Sequence, residues 1–193
     1  MRVSKQVMAE NNEKIVDEAA RLFREKGIEP TSVAEVMGAA GLTHGGFYRH
    51  FNSKDELVYA AIQKASNDMA NDLKNDIAQQ GAKQAIAGFI NKYLSEQHVA
   101  NPGKGCPIAA LSAETDRKPK IHKKAITQGT EQLINLLAQG IEGKPDEKQA
   151  NAAGLLAVLV GTLILARTAK TKQVMNEILS SGHRLAKFCM GKH

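Results

Sequence analysis

Helix-forming patterns recur along almost the whole 193-residue chain, and no stretch shows the strict polar–apolar alternation that is typical of a strand. In the first helical segment the apolar residues that recur at helical spacing are Ile15, Val16, Ala19, Leu22 and Phe23. Gly27 follows at the place where a helix commonly ends. The sequence therefore predicts an all-α fold with about nine helices.

Four predicted helices fill the first 80 residues. Ser32 with Glu35 forms a capping pair that opens the second helix, and Gly41 supplies the turn that ends it. A very short third helix follows, and Ser53 with Glu56 then opens a long fourth helix from about residue 54 to about residue 79. Two helices joined by a tight turn, with a supporting helix on each side, predict a helix-turn-helix.

Two adjacent glycines stand inside the very short third helix. Each glycine in a helix costs roughly 0.5 to 1 kcal/mol relative to alanine, so Gly45 and Gly46 need a compensating use. A helix lying in the DNA major groove provides one, because missing side chains let its backbone approach the base edges. A frayed turn between two packed helices is the alternative. The residues Tyr48, Arg49, His50 and Lys54 favour DNA, because their side chains donate hydrogen bonds of the kind that bind phosphates.

The stretch TSVAEVMGAAGLTHGGFYRHFNSKDEL, residues 31–57, resembles the DNA-binding signature of the TetR family of transcriptional repressors. The resemblance covers about the first 60 residues, and the rest of the chain resembles that family chiefly in its helical layout. It implies a DNA-binding domain at residues 1–53. It also implies a helical regulatory, ligand-binding and dimerisation domain at residues 54–193, with the fourth helix, 54–79, connecting the two.

The resemblance also implies roles for particular residues. Thr43, His44 and Gly45 are expected nearest the base edges. The residues expected to contact phosphates are Tyr48, His50, Lys54 and, from the second helix, Thr31 or Ser32. The implied partners are a palindromic double-stranded DNA operator, a second copy of the chain, and a small-molecule or electrophilic inducer that releases the repressor.

The apolar helix predicted at residues 146–169 points to a dimer. Its longest apolar run, residues 152–166, is shorter than the roughly 18 residues needed to span a bilayer, so we expect no membrane association. A helix that is apolar all round needs cover on both sides, from its own core and from a twin. The interface residues expected from the family's use of its last two helices are Gly154, Leu155, Val158, Gly161, Leu165, Val174, Ile178 and Leu185. A central helix in a monomeric bundle is the alternative.

Cys106 is the candidate for redox sensing. Pro107 suits the first position of a short helix ending near residue 115, which makes Cys106 its N-cap, beside unpaired backbone N–H groups. That setting stabilises a thiolate, and Lys104 would assist. The alternative is that Cys106 is a small apolar core residue, as we expect for Cys189.

A non-covalent inducer would need an apolar pocket in the helical domain. Its candidate lining residues are Phe89, Tyr93, Leu111, Ile134, Leu137 and Leu163. We expect no cofactor and no metal, because the histidines and cysteines lack ligand spacing and no phosphate-binding glycine loop is present.

Two other function classes remain open. Cys106 with His98 or His122, both expected to be solvated, could serve a thiol hydrolase or acyl-transfer enzyme. A constitutive DNA-binding protein without an inducer is the other. The scarcity of cysteines and the absence of an apolar signal segment near Met1 predict a cytoplasmic protein.

The net charge of +6 is unevenly distributed. Residues 1–60 carry eight Lys and Arg against nine Asp and Glu, so the excess lies in the other two thirds of the chain. It is concentrated in the stretch RKPKIHKK, residues 117–124. Overall charge therefore does not identify DNA as the partner.

Overall fold

The computed structural model describes residues 5–115 and 119–191, and all regular secondary structure within those ranges is helical. The predicted all-α fold is confirmed. The nine α-helices of these ranges are α1 (Lys5–Lys26), α2 (Val33–Ala39), α3 (Lys54–Gln80), α4 (Ala82–Tyr93), α5 (Glu96–Ala100), α6 (Pro107–Thr115), α7 (Lys120–Leu137), α8 (Pro145–Thr168) and α9 (Lys172–Cys189). Three short 3₁₀ helices span His44–Arg49, Pro102–Lys104 and Ala138–Gly140.

The predicted caps of the first helices are present. Gly27 and Gly41 have positive φ angles of 92° and 72°, a conformation that favours glycine and ends α1 and α2. The hydroxyl of Ser32 accepts from the amide of Glu35 at 3.1 Å. The Ser53 hydroxyl accepts from the amide of residue 56 at the same distance. Local sequence chemistry therefore sets where α2 and α3 begin.

The helical segment between Gly81 and Ala100 breaks at Leu94. Two ring nitrogens bind carbonyls at that break: Nδ1 of His98 lies 2.7 Å from the oxygen of Tyr93, and Nε2 of His183 lies 3.1 Å from the oxygen of Leu94. Ser95 then caps α5 by accepting from the amide of His98 at 3.2 Å. One local side chain and one from α9 therefore bind the carbonyls at this break.

The chain divides into two compact units, Met1–Ser66 with Pro102–Thr127, and Asn67–Asn101 with Gln128–His193. The boundaries of these units differ from the predicted boundary after residue 53. That boundary separates functions, and it stays a prediction. The first unit holds the helix-turn-helix, the first half of α3, α6 and the start of α7. The second holds α4, α5, α8, α9 and the remainder of α3 and α7.

The first unit has one continuous apolar core. Phe47 and Phe51 are 1% and 5% exposed, and their ring centroids lie 5.9 Å apart. Leu111, Ala125 and Ile126 join the same core from α6 and α7. Segments distant in sequence therefore complete the helix-turn-helix domain.

Two hydrogen bonds fasten residues 102–115 to the end of α1. Nη1 of Arg24 donates to the carbonyl of Gly105 at 3.2 Å. The amide of Ile28 donates to Oε2 of Glu114 at 2.9 Å. Bonds to charged groups are the stronger class of hydrogen bond, so this junction is well fixed.

In the second unit α8 packs closely against α9. A Cβ atom added at Gly182 would lie 2.4 Å from Cγ2 of Thr162, far inside contact distance. Among the described residues α8 is also the one helix long and apolar enough to cross a bilayer. This finding rests on length and composition alone, so the expected absence of membrane association stays a prediction. One side of α8, including Leu159 and Leu163, is buried in the core of the second unit.

Candidate DNA-binding surface

The predicted base-contacting residues lie on the exposed side of the 3₁₀ helix His44–Arg49. Thr43, His44 and Gly45 are all exposed, while Phe47 on the opposite side is buried. Thr43 stands at the N-cap position in an extended conformation, and its side chain makes no capping hydrogen bond. The Thr43 hydroxyl therefore does not stabilise the start of this helix by capping it.

The protein itself does not require glycine at positions 45 and 46. Neither residue has a positive φ angle. A Cβ atom added at Gly45 would meet nothing within 4 Å, and one at Gly46 would make ordinary contacts of 3.7 Å with Cε of Met37 and 3.8 Å with Oγ1 of Thr43. Both glycines lower the stability of the helix, and no backbone angle or contact within the chain requires them. The open space at Gly45 therefore allows another molecule to approach the backbone closely.

The predicted phosphate contacts surround this short helix. Tyr48 is 73% exposed, and its ring lies edge-on to that of Phe47 with centroids 5.2 Å apart. Its ring is therefore supported while its hydroxyl reaches outward. His50 is half-buried just after the helix, and Lys54, also half-buried, begins α3 with Nζ 3.4 Å from the carbonyl oxygen of Glu29.

Of the two candidates just before α2, Ser32 is the exposed one. Thr31 is completely buried, and its hydroxyl donates to the carbonyl of Gly27 at 2.7 Å. The DNA contact predicted for Thr31 is therefore wrong. Ser32 is exposed, and its hydroxyl accepts the capping bond while keeping its proton for donation.

The start of α7 lies against the start of α3. Nε2 of His122 is 3.2 Å from Oδ1 of Asp55, and His122 is 1% exposed, so its predicted solvation is wrong. Three residues further along α7, the carbonyl of Ala125 accepts from Nε2 of Gln63 at 3.3 Å. No sequence pattern predicts this pairing, because residues 55 and 122 are far apart in the chain.

The sulfur of Cys106 is not accessible. The residue precedes the first residue of α6, as predicted, and its carbonyl accepts from the amide of Ala110 at 3.2 Å. Cys106 is, however, 0% exposed. Cys189 is half-buried, and burial raises the pKa of its thiol, which disfavours a thiolate there.

The predicted pocket-lining residues do not all belong to one unit. Leu111 lies in the core of the first unit. The five in the second unit are Phe89, Tyr93, Ile134, Leu137 and Leu163. Among these, the ring centroid of Tyr93 lies 5.6 Å from that of Phe89 and 4.6 Å from that of His98. The second unit thus contains an aromatic cluster at the end of α4.

An apolar stripe runs along the outer side of α8 and α9. Leu165, Val174 and Leu185, all predicted interface residues, are 58%, 43% and 56% exposed. Phe188, at 65%, continues the stripe and was missed. The remaining predicted members that reach the surface are Gly154, Val158, Gly161 and Ile178. Leu155 is 0% exposed and packs within its own subunit, so its predicted interface role is wrong.

Comparison with known proteins gives two family matches along the chain. Residues 15–61 match the family described as "Bacterial regulatory proteins, tetR family". Residues 82–180, just over half of the chain, match "Transcriptional regulator LmrA/YxaF-like, C-terminal domain". An uncharacterized HTH-type transcriptional regulator of Mycobacterium tuberculosis is 28% identical over 166 residues, covering 80% of this chain and 83% of that protein.

Solved structures of similar proteins have the same fold. A TetR transcriptional regulator from Chloroflexus aurantiacus superposes with a TM-score of 0.73 at 25% identity, covering 93% of this chain and 95% of that one. Escherichia coli NemR in its reduced form superposes with a TM-score of 0.74 at 20% identity, covering 90% and 95%. The chain therefore belongs to the TetR family of transcriptional regulators.

Proposed function

We propose that this protein is a ligand-responsive, cytoplasmic transcriptional repressor that binds a partly palindromic DNA operator as a homodimer. The observation that carries the proposal is the exposed short helix with Gly45 and Gly46. Neither the backbone angles nor the packing of the chain requires glycine at these two positions. Thr43 and His44 contact base edges beside the bare backbone of Gly45. Ser32, Tyr48, His50 and Lys54 bind the flanking phosphates.

The homodimer forms through the apolar stripe on α8 and α9. Exposed apolar patches of this kind mark interaction sites, and a two-fold axis lets the same stripe serve both subunits. Two DNA-binding units then meet half-sites about 34 to 36 Å apart. An inducer that favours a different spacing of the two units releases the operator.

A gel shift with two duplexes tests this proposal. One duplex contains the site selected by the protein from genomic fragments, and the other has the same composition in scrambled order. We expect the operator to bind at least about a thousandfold more tightly at physiological salt. Equal affinity for both duplexes would contradict the repressor function.

Gly45→Ala is expected to weaken operator binding about ten- to a hundredfold while leaving stability unchanged or slightly higher. The added methyl group has open space in the protein, but it occupies the volume where base edges approach, at about 1.4 kcal/mol for each tenfold loss. Gly88→Ala is the matched control, since Gly88 is exposed on α4 with nothing within 4 Å of an added Cβ. Thermal unfolding and operator titration separate the two effects. Equal affinity in both variants would remove the role assigned to Gly45.

The inducer is a non-covalent small molecule that binds in the second unit, beside the aromatic cluster of Phe89 and Tyr93. Redox sensing would require an exposed thiol, and Cys106 is completely buried. Its burial also leaves a cysteine-dependent hydrolase without an accessible nucleophile. The NemR structure is of a reduced form, and that redox state says nothing about the cysteines of this chain.

Thiol labelling tests this choice of inducer. In a Cys189→Ser protein, we expect Cys106 to react at neutral pH at least about a hundredfold more slowly than a small-molecule thiol, and to react fully on unfolding. Hypochlorite should leave operator binding by this variant and by a Cys106→Ser/Cys189→Ser protein equally intact. Fast labelling of Cys106, with oxidative release of the operator that Cys106→Ser abolishes, would restore the redox interpretation.

A further inference from the structure

Two opposite charges border the apolar stripe on α9. Glu177 and Arg184 are both exposed and seven residues apart, which places them on one side of the helix, about 10 Å apart along its axis. At about 100° per residue, both lie about 60° to 85° around α9 from the centre of the stripe, on the edge opposite Gly182. These two residues are called the charged edge below.

Neither member of the charged edge has an ionic partner in the described parts of the chain. Nη1 and Nη2 of Arg184 donate to the hydroxyls of Ser180 and Ser181 at 3.3 and 2.9 Å. Oε1 of Glu177 accepts from Nε2 of Gln173 at 3.1 Å. These partners are neutral, and the ion pairs of the described residues involve other side chains. Both charges therefore stay uncompensated in the single chain.

The apolar stripe has its midpoint at one level of both helices. On α9 it extends seven residues to either side of Ser181, which is half-buried. At the next residue, Gly182, an added Cβ atom would lie 2.4 Å from Cγ2 of Thr162. Gly161, near the middle of the stripe on α8, precedes Thr162 and so lies at the level of Ser181. A two-fold axis through this level brings each half of the stripe onto the other half of its copy.

Antiparallel packing of α9 against its copy matches the charged edge. When two identical helices meet face to face in opposite directions, the two-fold axis places each edge of the stripe against the same edge of the partner. Residues about equally far from the midpoint, on opposite sides of it, then meet. Glu177 precedes Ser181 by four residues and Arg184 follows it by three, so Glu177 lies beside Arg184 of the partner subunit. Parallel helices would instead place Glu177 against the edge that holds Gly182, which is covered by α8.

The composition of α8 argues against that helix as the counterpart of the charged edge. No Asp, Glu, Lys or Arg occurs between Lys148 and Arg167, a span that includes the whole stripe on α8. A carboxylate or guanidinium packed against this apolar surface would lose its hydration without compensation. Charge complementarity therefore favours α9 of a second copy.

We propose that Glu177 of each subunit forms an ion pair with Arg184 of the partner subunit, and that the two pairs set the antiparallel register of α9 in the homodimer. The inference rests on the proposed homodimer and adds the contact that selects a second copy of this chain over related chains. An ion pair at an exposed edge adds little affinity, but like charges brought together at an interface oppose association strongly. A related subunit with a different order of charges is therefore rejected.

Charge reversal gives a test that only a pair between subunits passes. In a homodimer, Glu177→Arg brings two positive charges together twice, and Arg184→Glu brings two negative charges together twice. Each single variant should therefore have a dimer dissociation constant about ten- to a hundredfold above that of the wild type. A one-to-one mixture of the two variants has opposite charges in both pairs, so it should form a heterodimer within about threefold of wild-type affinity. Native mass spectrometry distinguishes the heterodimer from either homodimer.

Two further variants complete the test. Glu177→Arg/Arg184→Glu restores both pairs within one chain and should dimerise by itself. Lys187→Glu is the matched control for Arg184→Glu, because Lys187 is exposed on α9 about 140° around from the centre of the stripe, and it should dimerise like the wild type.

The outcomes separate the pair from the homodimer itself. A wild-type protein that stays monomeric at micromolar concentration would overturn both the proposed homodimer and the pair. A dimeric wild type would leave the homodimer standing, and the pair alone would then be overturned by either of two results. One is single variants that dimerise as tightly as the wild type, and the other is a mixture and a double variant that both stay monomeric.

Discussion

Replacing Leu185 by glutamate is expected to dissociate the homodimer and abolish operator binding. Leu185 is 56% exposed in the isolated chain and lies in the middle of the apolar stripe of α9. Burying a leucine side chain contributes about 1.5 to 3 kcal/mol. A two-fold interface counts that contribution twice, and an unpaired carboxylate costs more again. We therefore expect the dimer dissociation constant to rise at least about a thousandfold.

Analytical ultracentrifugation and operator titration measure these two consequences. Asn176→Glu is the matched control, because it adds the same charge on an exposed position of α9 about 180° around the helix from Leu185. The control should remain dimeric and bind DNA like the wild type. A dimeric Leu185→Glu protein, or a monomer with full operator affinity, would refute the proposed interface.

Gly182→Val is expected to destabilise the fold by about 2 to 3 kcal/mol, which lowers the melting temperature by roughly 5 to 10 °C for a chain of this size. A Cβ atom at position 182 would lie 2.4 Å from Cγ2 and 2.5 Å from Oγ1 of Thr162. Valine adds two further methyl groups at this closest approach of α8 and α9. The cost of overpacking exceeds the small gain in helix propensity.

A double substitution isolates this contact. Thr162→Ala removes the two closest atoms, so Gly182→Val/Thr162→Ala should recover part of the lost stability. Gly88→Val, at an exposed helical glycine with open space around it, should change stability by less than about 0.5 kcal/mol. Thermal denaturation followed by circular dichroism gives all three values. Equal melting temperatures for the Gly182 and Gly88 variants would show that α8 and α9 can separate without cost.

Local chemistry made the helix-turn-helix predictable from sequence. The capping hydroxyls of Ser32 and Ser53, and the positive φ angles of Gly27 and Gly41, act within a few residues of themselves. Short sequence patterns therefore predict these caps and turns. The same holds for Phe47 and Phe51, whose spacing of four residues places them on one buried side.

Long-range contacts account for the predictions that were wrong. His122 looks solvated among lysines in the sequence, but Asp55 and the core of the first unit surround it. The break at Leu94 depends on His183, almost ninety residues away. Sequence periodicity could place Leu155 on an apolar helix, yet it could not tell which side of that helix faces its own core. Gly182 was missed for the same reason, since its neighbour Thr162 belongs to another helix.

The hydrogen bonds of Glu114 to Ile28 and of Arg24 to Gly105 limit where two related regulators can be joined to make a chimera. Since the DNA-binding unit is assembled from Met1–Ser66 and Pro102–Thr127, no single cut separates it from the rest of the polypeptide. A chimera joined at residue 66 would lose Leu111, Ala125 and Ile126 from the core under its DNA-binding helices. Exchange of ligand specificity between relatives, by protein engineering or by natural recombination, therefore requires three crossovers, after residues 66, 101 and 127, so that residues 102–127 stay with the DNA-binding segment 1–66.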